Sequence, residues 1–215
     1  MGKIKMEIKS GPSPLLGAYP TVIVGVNVDG RPDFTTVAWV GVAASVPPSI
    51  TIALQHHRHS LKGIKQNMNF SVNIPSADLV NETDYCGLVS GARVDKAKDC
   101  GFKVFYGKLE NVPFIDQCPI NHSFEVVQIL NLGSHELIVG RIVETFLSEE
   151  CLVNGRPDLS KIKPILFAGF GYFGIGEHIG DAFKCGIAIN PKEKMDTLEE
   201  LAQQRKAGEK AAPNK

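Results

Sequence analysis

A cluster of basic side chains lies where a predicted strand gives way to a predicted helix. It is the run His56-His57-Arg58-His59, followed directly by Ser60. Backbone amides at the start of a helix attract phosphate, and an arginine and a hydroxyl group would add a charge and a donor. His57 and His59 would share a strand face, as zinc ligands can, but no second cluster with carboxylates stands at ligand spacing. We therefore favour a phosphate-binding turn over a solvated loop or a metal site, and predict no metal site.

A second basic segment, residues 90–96, has the same character. Gly91 lets the chain turn, and Arg93 and Lys96 are spaced to reach an anion about one helical turn apart. Taken alone, the segment is equally typical of a solvated charged turn.

The run Gly169-Phe170-Gly171-Tyr172-Phe173-Gly174 matches the spacing of the dinucleotide-binding fingerprint. That fingerprint holds a pyrophosphate only where a helix begins at the glycines. Residues 175–180 contain further glycines and do not predict a helix. We expect these glycines instead to let the backbone approach a flat ligand or a partner chain closely.

The elements that must position these groups are mainly strands. The β-branched run 21–28 ends at Asp29-Gly30, a dipeptide that favours a type I′ hairpin turn. Further strands are predicted at 33–44, 49–54, 70–74, 123–130 and 136–144. Helices are predicted at 59–69 (with Ser60 as N-cap), 76–90, 94–100 and 195–205, and an irregular or tightly turned segment at 165–179. The pattern predicts an antiparallel β core in a closed or partly open barrel, with residues 1–190 as one domain and 191–215 as a C-terminal helix and flexible tail.

Charge and composition limit the classes of function. The 23 Lys and Arg residues balance the 23 Asp and Glu residues, which argues against a nucleic-acid binder that works through a basic surface. No apolar run is long enough to span a bilayer, and the N-terminal residues lack the apolar core of a secretion signal. The five cysteines form no CxxC pair, as expected of reduced thiols in the cytoplasm.

Several sequence blocks, in order and at matching spacing, resemble the flavin reductase-like FMN-binding family. In the first half they are DFTTVAW (33–39), SVPP (45–48), RHSLKGI (58–64) and NFSVNI (69–74). Later blocks are SG with DK (90–96), GSH before VGRIV (133–143) and PILF (164–167). The resemblance covers residues 17–186 and is greatest to the flavoredoxin branch.

This resemblance implies a mainly β fold, an antiparallel split β-barrel with short flanking helices, that binds FMN and forms a homodimer. It implies an FMN-dependent oxidoreductase that works in electron transfer, as flavoredoxins do, and exchanges electrons with a redox partner protein or a small acceptor. An NAD(P)H-dependent flavin reductase with exchangeable flavin is an alternative, and a non-catalytic flavin- or haem-binding module is another.

Carried over by position, the resemblance also implies individual contacts to FMN. Residues 35–39 would line the isoalloxazine, with Trp39 beside the ring. Ser60 and Lys96 would contact the phosphate or ribityl chain, with Arg58 as a second cation. His135, a possible proton donor, and Phe167 would close the pocket, within one chain or across the homodimer interface. The residues so predicted to bind FMN are Thr35, Thr36, Val37, Ala38, Trp39, Arg58, Ser60, Ser90, Gly91, Lys96, His135 and Phe167.

Other interpretations of two positions remain open. Trp39 also suits an ordinary core position, and His135 also suits a strand histidine satisfied by hydrogen bonds. Ala97 departs from the family, which often has an aromatic residue after Asp-Lys. The segment after Pro191 extends beyond the family core and has no predicted role.

Overall fold

The computed structural model describes residues 13–14, 16–182 and 184–189. The predicted helix at 195–205 and the predicted domain boundary after residue 190 lie outside the described residues. Within them, no helix is long and apolar enough to cross a membrane.

Strands dominate the described chain, and the helices between them are short. The strands are β1 (Tyr19–Pro20), β2 (Val22–Val28), β3 (Arg31–Val37), β4 (Val40–Ser45), β5 (Pro48–Gln55), β6 (Asn69–Ile74), β7 (Val104–Phe105), β8 (Phe114–Ile115), β9 (Ile120–Asn131), β10 (His135–Leu147), β11 (Leu152–Val153), β12 (Arg156–Pro157), β13 (Leu166–Ala168) and β14 (Gly171–Phe173). The helices are α1 (His59–Asn67), α2 (Val80–Leu88), α3 (Lys96–Asp99) and α4 (Leu159–Ile162), with 3₁₀ turns at Ala77–Leu79, Glu149–Cys151 and Cys185–Ile189.

Seven strands form one antiparallel sheet in the order β3-β2-β6-β9-β10-β5-β4. Strands β3 and β4 follow each other in the chain but lie at opposite ends of this order. Three residue steps, from Val37 to Val40, span at most about 10 Å, so the two edges of the sheet must lie close together. The sheet therefore curls into a barrel, and no ladder joins β3 to β4 among the described residues. This is the predicted antiparallel split barrel.

The turn between β2 and β3 follows the sequence prediction. Asp29 and Gly30 both have positive φ angles, 51° and 81°, as the two central residues of a type I′ turn require. The prediction of one strand at 33–44 was wrong, because the chain leaves β3 after Val37 and enters β4 at Val40. The residues of the break, Ala38 and Trp39, are as apolar as their neighbours, so the sequence pattern did not reveal it.

Strand β2 is buried on both faces. Val22, Val24 and Val26 pack into the main core with α1, Phe70 and Phe124, whose rings stack at 4.9 Å. Ile23, on the opposite face, packs in a second cluster with Phe34 and Cys86. Burial on both sides explains why residues 22–26 of β2 are a continuous apolar run rather than an alternating one.

The glycine-rich segment forms a hairpin. Strands β13 and β14 pair with each other, and β13 also pairs with β1, opposite Tyr19. The turn residues Gly169 and Phe170 have positive φ angles of 53° and 64°. Residues 174–180 contain no regular element, so no helix begins at these glycines and the dinucleotide fingerprint is excluded.

Candidate functional site

Two adjoining cavities lie where the split of the barrel meets α1, α2 and the β13–β14 hairpin. The larger one has a volume of about 600 Å³. It is lined by Thr21, Thr36, Val37, Ala38, Trp39, Ala53, Leu54, Gln55, Arg58, Asp84, Gly87, Leu88, His135, Phe167, Phe170 and Tyr172. The smaller one, of about 160 Å³, is lined by Thr35, His57, Arg58, His59, Ser60, Leu88, Val89, Ser90, Gly91, Arg93 and Lys96. Arg58 and Leu88 contribute to both, so the two cavities share a wall.

The residues predicted to bind FMN are all in the walls of these two cavities. The larger cavity contains Thr36, Val37, Ala38, Trp39, Arg58, His135 and Phe167. The smaller cavity contains Thr35, Arg58, Ser60, Ser90, Gly91 and Lys96. His135 and Phe167 line the larger cavity from the same chain as Trp39, without a partner subunit.

The break between β3 and β4 forms one wall of the larger cavity. The Thr36 hydroxyl donates a hydrogen bond to the Thr83 carbonyl of α2. The Trp39 carbonyl accepts from the Ala53 amide at 2.9 Å, which fixes the backbone of the break against β5. The Trp39 indole is 42% exposed, so it is not an ordinary core residue.

The Trp39 indole stacks on the His135 imidazole, with ring centroids 4.4 Å apart and planes inclined by 23°. His135 is the first residue of β10 and pairs with Gln55, the last residue of β5. Its Nδ1 contacts the Ser134 hydroxyl oxygen at 2.8 Å. The stacked pair is therefore an exposed wall of the cavity, held at the ends of two adjacent strands.

The hairpin closes the larger cavity on another side. The Tyr172 hydroxyl donates to Asp84 Oδ1 of α2 at 2.9 Å, and both side chains line the cavity. Burial, together with this hydrogen bond, raises the pKa of Tyr172 to about 12. Tyr172 therefore remains a neutral donor over the physiological range, and the Tyr172–Asp84 contact ties the hairpin to α2.

In the smaller cavity, two predicted ligands already have partners inside the protein. Lys96 is 3% exposed, and its Nζ donates to the carbonyls of Phe34 at 2.6 Å and Cys86 at 3.0 Å. Its Nζ also lies 3.7 Å from Asp33 Oδ1, while Asp33 Oδ2 accepts the Ser60 hydroxyl at 2.6 Å. Burial lowers the pKa of Lys96, although Asp33 opposes this effect.

The prediction of Ser60 as the N-cap of α1 was wrong. The N-cap is Arg58, which has extended backbone and makes no side-chain capping bond. Ser60 is inside the helix, and its only hydroxyl proton goes to Asp33, 27 residues away in the chain. Arg58 instead extends to α2, where Nη1 donates to the Gly87 carbonyl at 2.6 Å.

Asp33 is a functional candidate that the motif reasoning did not single out. It is buried between Ser60, Lys96 and Gly91, and a Cβ atom at Gly91 would lie 1.9 Å from Asp33 Oδ1. Glycine at position 91 is therefore required by this carboxylate. The sequence signal was present, because Asp33 is the one charged residue in the block 33–39.

Two buried hydroxyl groups in the cavity walls have no hydrogen-bond partner in the described structure. They are Oγ1 of Thr21, in the larger cavity, and Oγ1 of Thr35, in the smaller. An unsatisfied buried polar atom costs free energy, so its presence in a cavity wall is typical of a ligand site.

Residues 17–175 match the family model of the flavin reductase like domain. The chain belongs to this family. Its structure is similar to flavoredoxin from Methanosarcina acetivorans, with 33% identity, a TM-score of 0.80, and coverage of 88% of this chain and all of that one. It is also similar to flavoredoxin of Desulfovibrio vulgaris (Miyazaki F), with 29% identity, a TM-score of 0.77, and coverage of 84% and 100%. An uncharacterized protein of Archaeoglobus fulgidus is 28% identical over 155 residues, which are 71% of this chain and 86% of that protein.

Ala97, which follows Asp-Lys in the sequence, packs against the second core cluster, beside Ile23, Phe34 and Phe102. The rings of Phe34 and Phe102 meet edge to face at 5.7 Å in that cluster. Phe102 thus supplies an aromatic ring to the cluster that Ala97 contacts.

The histidine run does not converge on one point. His57 and His59 line the smaller cavity, whereas His56 contacts Glu136. In the described part of the chain, no three His, Cys, Asp or Glu side chains are grouped to hold a metal ion.

The cysteines of this flavin reductase-like domain are free thiols, and Cys86, Cys118 and Cys151 are buried. Burial raises the pKa of Cys86 and of Cys118. The pKa of Cys100 is also raised by burial. The thiols of Cys86, Cys100 and Cys118 therefore stay protonated and behave as small apolar groups.

Proposed function

We propose that the protein binds FMN and works as an electron-transfer flavoprotein of the flavoredoxin type. The observation that carries this proposal is the convergence of the twelve predicted FMN residues on two cavities that share Arg58. One cavity is large and flanked by aromatic rings, and the other is small and surrounded by basic groups. This division matches a ligand with a flat ring at one end and an anion at the other.

The smaller cavity suits the phosphate group. Arg58 and Arg93 contribute positive charge, and His57 and His59 add further nitrogen donors. The charge of Lys96 is largely offset by Asp33, so we assign Lys96 to orienting the β3–α2 junction behind the phosphate rather than to direct contact. The unpartnered Thr35 hydroxyl supplies a donor at the cavity wall.

The larger cavity suits the isoalloxazine. The backbone of residues 36–39 would meet its polar edge, and Trp39, His135 and Phe167 would flank it. Bound FMN supplies one- and two-electron redox chemistry, while the protein orients it and sets its electrostatic surroundings. Since Nδ1 of His135 is engaged by Ser134, Nε2 is the atom at which His135 would exchange a proton.

A carrier is favoured over an NAD(P)H-dependent flavin reductase because two similar solved structures, at 33% and 29% identity, are flavoredoxins. The test is anaerobic reduction of the FMN-loaded protein, followed by mixing with acceptors. A carrier retains its FMN, responds slowly to NADH and NADPH, and passes electrons rapidly to a redox protein or small acceptor after reduction by dithionite. Rapid reduction by NAD(P)H with release of flavin would instead establish the flavin reductase, and a flavin that exchanges electrons with no acceptor would indicate a binding module.

We also propose a homodimer, through an apolar face around a cleft of about 460 Å³. Leu16 and Leu132 line this cleft and are 80% and 62% exposed. The cleft itself is lined by apolar residues of β4, β5 and β10. A continuous exposed apolar surface of this kind is typical of an interface.

The free thiols support the cytoplasm as the location of the protein.

A further inference from the structure

The stack of Trp39 on His135 separates two cavities. Both residues line the cavity of about 600 Å³, and both also line the apolar cleft of about 460 Å³. His135 is at the start of β10 and its ladder partner Gln55 is at the end of β5. Strand ends open more readily than strand centres, so a stacked wall built there needs a further constraint.

That constraint comes from His56, which follows β5 directly. Its Nε2 lies 2.5 Å from the carbonyl oxygen of Gly133, in the turn that joins β9 to β10. Its Nδ1 lies 3.3 Å from Oε1 of Glu136, the residue after His135. His56 therefore contacts the chain on both sides of His135.

The partner of His56 on β10 is itself fixed. The carboxylate of Glu136 is 7% exposed, and its Oε1 also accepts from Lys65 Nζ of α1 at 2.5 Å. The turn is fixed further by two bonds, from the Gly133 amide to Asn131 Oδ1 at 3.0 Å and from the Leu132 amide to the His135 carbonyl at 2.9 Å. His56 thus connects a rigid carboxylate to the turn that carries His135.

The geometry also specifies which nitrogen of the His56 ring donates. A carbonyl oxygen only accepts hydrogen bonds, so Nε2 carries a proton and donates it to the Gly133 carbonyl. Nδ1 faces the Glu136 carboxylate at 3.3 Å, a contact longer than the hydrogen bond on the other side of the ring.

We propose that His56 is a positioning residue, which holds the β9–β10 turn through its Nε2–H donor and its contact with Glu136 and so keeps His135 stacked on Trp39. The proposal concerns the cavity wall itself. It is tested on the full-length chain without flavin, so its failure would leave the proposed FMN site unaffected, and failure of FMN binding would leave this proposal unaffected.

Trp39 is the only tryptophan of the chain, so tryptophan fluorescence reports on the stack directly. The experiment compares acrylamide quenching of Trp39 in the native chain, His56→Leu and His56→Arg, with His178→Leu as a control that removes an exposed histidine with no contact to the turn. We expect the Stern–Volmer constant of His56→Leu to rise towards that of the urea-unfolded chain. Arginine, with several fixed donors, restores protection, and His178→Leu behaves as the native chain.

Unchanged quenching in His56→Leu, or equal loss of protection in His56→Leu and His56→Arg, would overturn the proposal. Circular dichroism checks that each variant is folded. If His56→Leu does not fold, ¹⁵N NMR of the His56 ring in the native chain decides the question. A hydrogen-bonded proton on Nε2 supports the proposal, and an Nε2 without a proton overturns it.

Discussion

At the scale of single residues, Arg58 is the charged side chain that lines both cavities. Replacing it by glutamine removes a charge from the anion cavity and keeps most of the side-chain volume. We expect Arg58→Gln to weaken FMN binding by about 1.5–3 kcal/mol, as is typical of a lost hydrogen bond to a charged group. Riboflavin, which lacks the phosphate, should lose much less affinity.

Fluorescence titration of both flavins measures this difference. Arg141→Gln is the matched control, since Arg141 forms an exposed pair with Glu125 at 2.7 Å on β9 and β10. Equal losses for FMN and riboflavin in Arg58→Gln would show that Arg58 does not bind the phosphate.

Lys96 leads to a different prediction. Its ammonium group is satisfied by two carbonyls and faces Asp33, so removing it leaves a buried carboxylate without its counter-charge. We expect Lys96→Met to lower the free energy of unfolding by roughly 3–5 kcal/mol in the absence of flavin. Urea unfolding of the flavin-free chain measures this change. A variant of native stability that has lost only FMN affinity would instead make Lys96 a direct ligand of the cofactor.

The sequence located these residues but not all their contacts. Ser60 and Lys96, both expected to contact FMN, line the same cavity. Neither position in the chain revealed that Asp33 would accept the Ser60 proton and face Lys96, because this contact joins β3, α1 and α3. Such a contact depends on the packing of three elements, which no local pattern encodes.

At the scale of elements, local sequence signals account for β2 and the turn after it, but they do not account for the break after β3. The Asp29-Gly30 turn and the β-branched run before it are local signals, and the structure follows them. The break at Ala38-Trp39 arises because the sheet curls until its edge strands meet. Curling depends on all seven strands together, so the apolar run at 33–44 carries no sequence signal for the break.

The β13–β14 hairpin provides an element-scale prediction. The hydrogen bond from Tyr172 to Asp84 connects this hairpin to α2 across the mouth of the larger cavity. We expect Tyr172→Phe to increase hydrogen–deuterium exchange in residues 166–173 and leave exchange in β2 unchanged. Tyr106→Phe, which removes another partly exposed hydroxyl, is the control. Equal protection of the hairpin in Tyr172→Phe and the native chain would show that packing alone holds it.

The pKa of Tyr172 sets the range of pH over which this contact persists. The pKa is raised from 10.0 to about 12, so the folded protein retains a proton that the unfolded chain releases between these values. The contribution of Tyr172 to stability is therefore fully present below about pH 10 and is lost as the pH rises towards 12.

At the scale of the whole molecule, the exposed apolar face predicts self-association. Leu16 lines the cleft of this face and is 80% exposed, so a carboxylate there would be buried without a partner in the dimer. We expect Leu16→Glu to shift the protein from dimer to monomer in sedimentation velocity. Val153→Glu, which changes an exposed valine on β11, should leave the dimer intact. A native chain that sediments as a monomer at all concentrations would rule the dimer out.

We propose that the two cavities together bind one FMN per chain. The most direct measurement is the visible absorption spectrum of the purified protein, followed by titration of the flavin-free chain with FMN while flavin fluorescence is recorded. We expect a yellow protein, or a change in flavin fluorescence that saturates at one FMN per chain. A colourless protein whose addition leaves FMN fluorescence unchanged would contradict it.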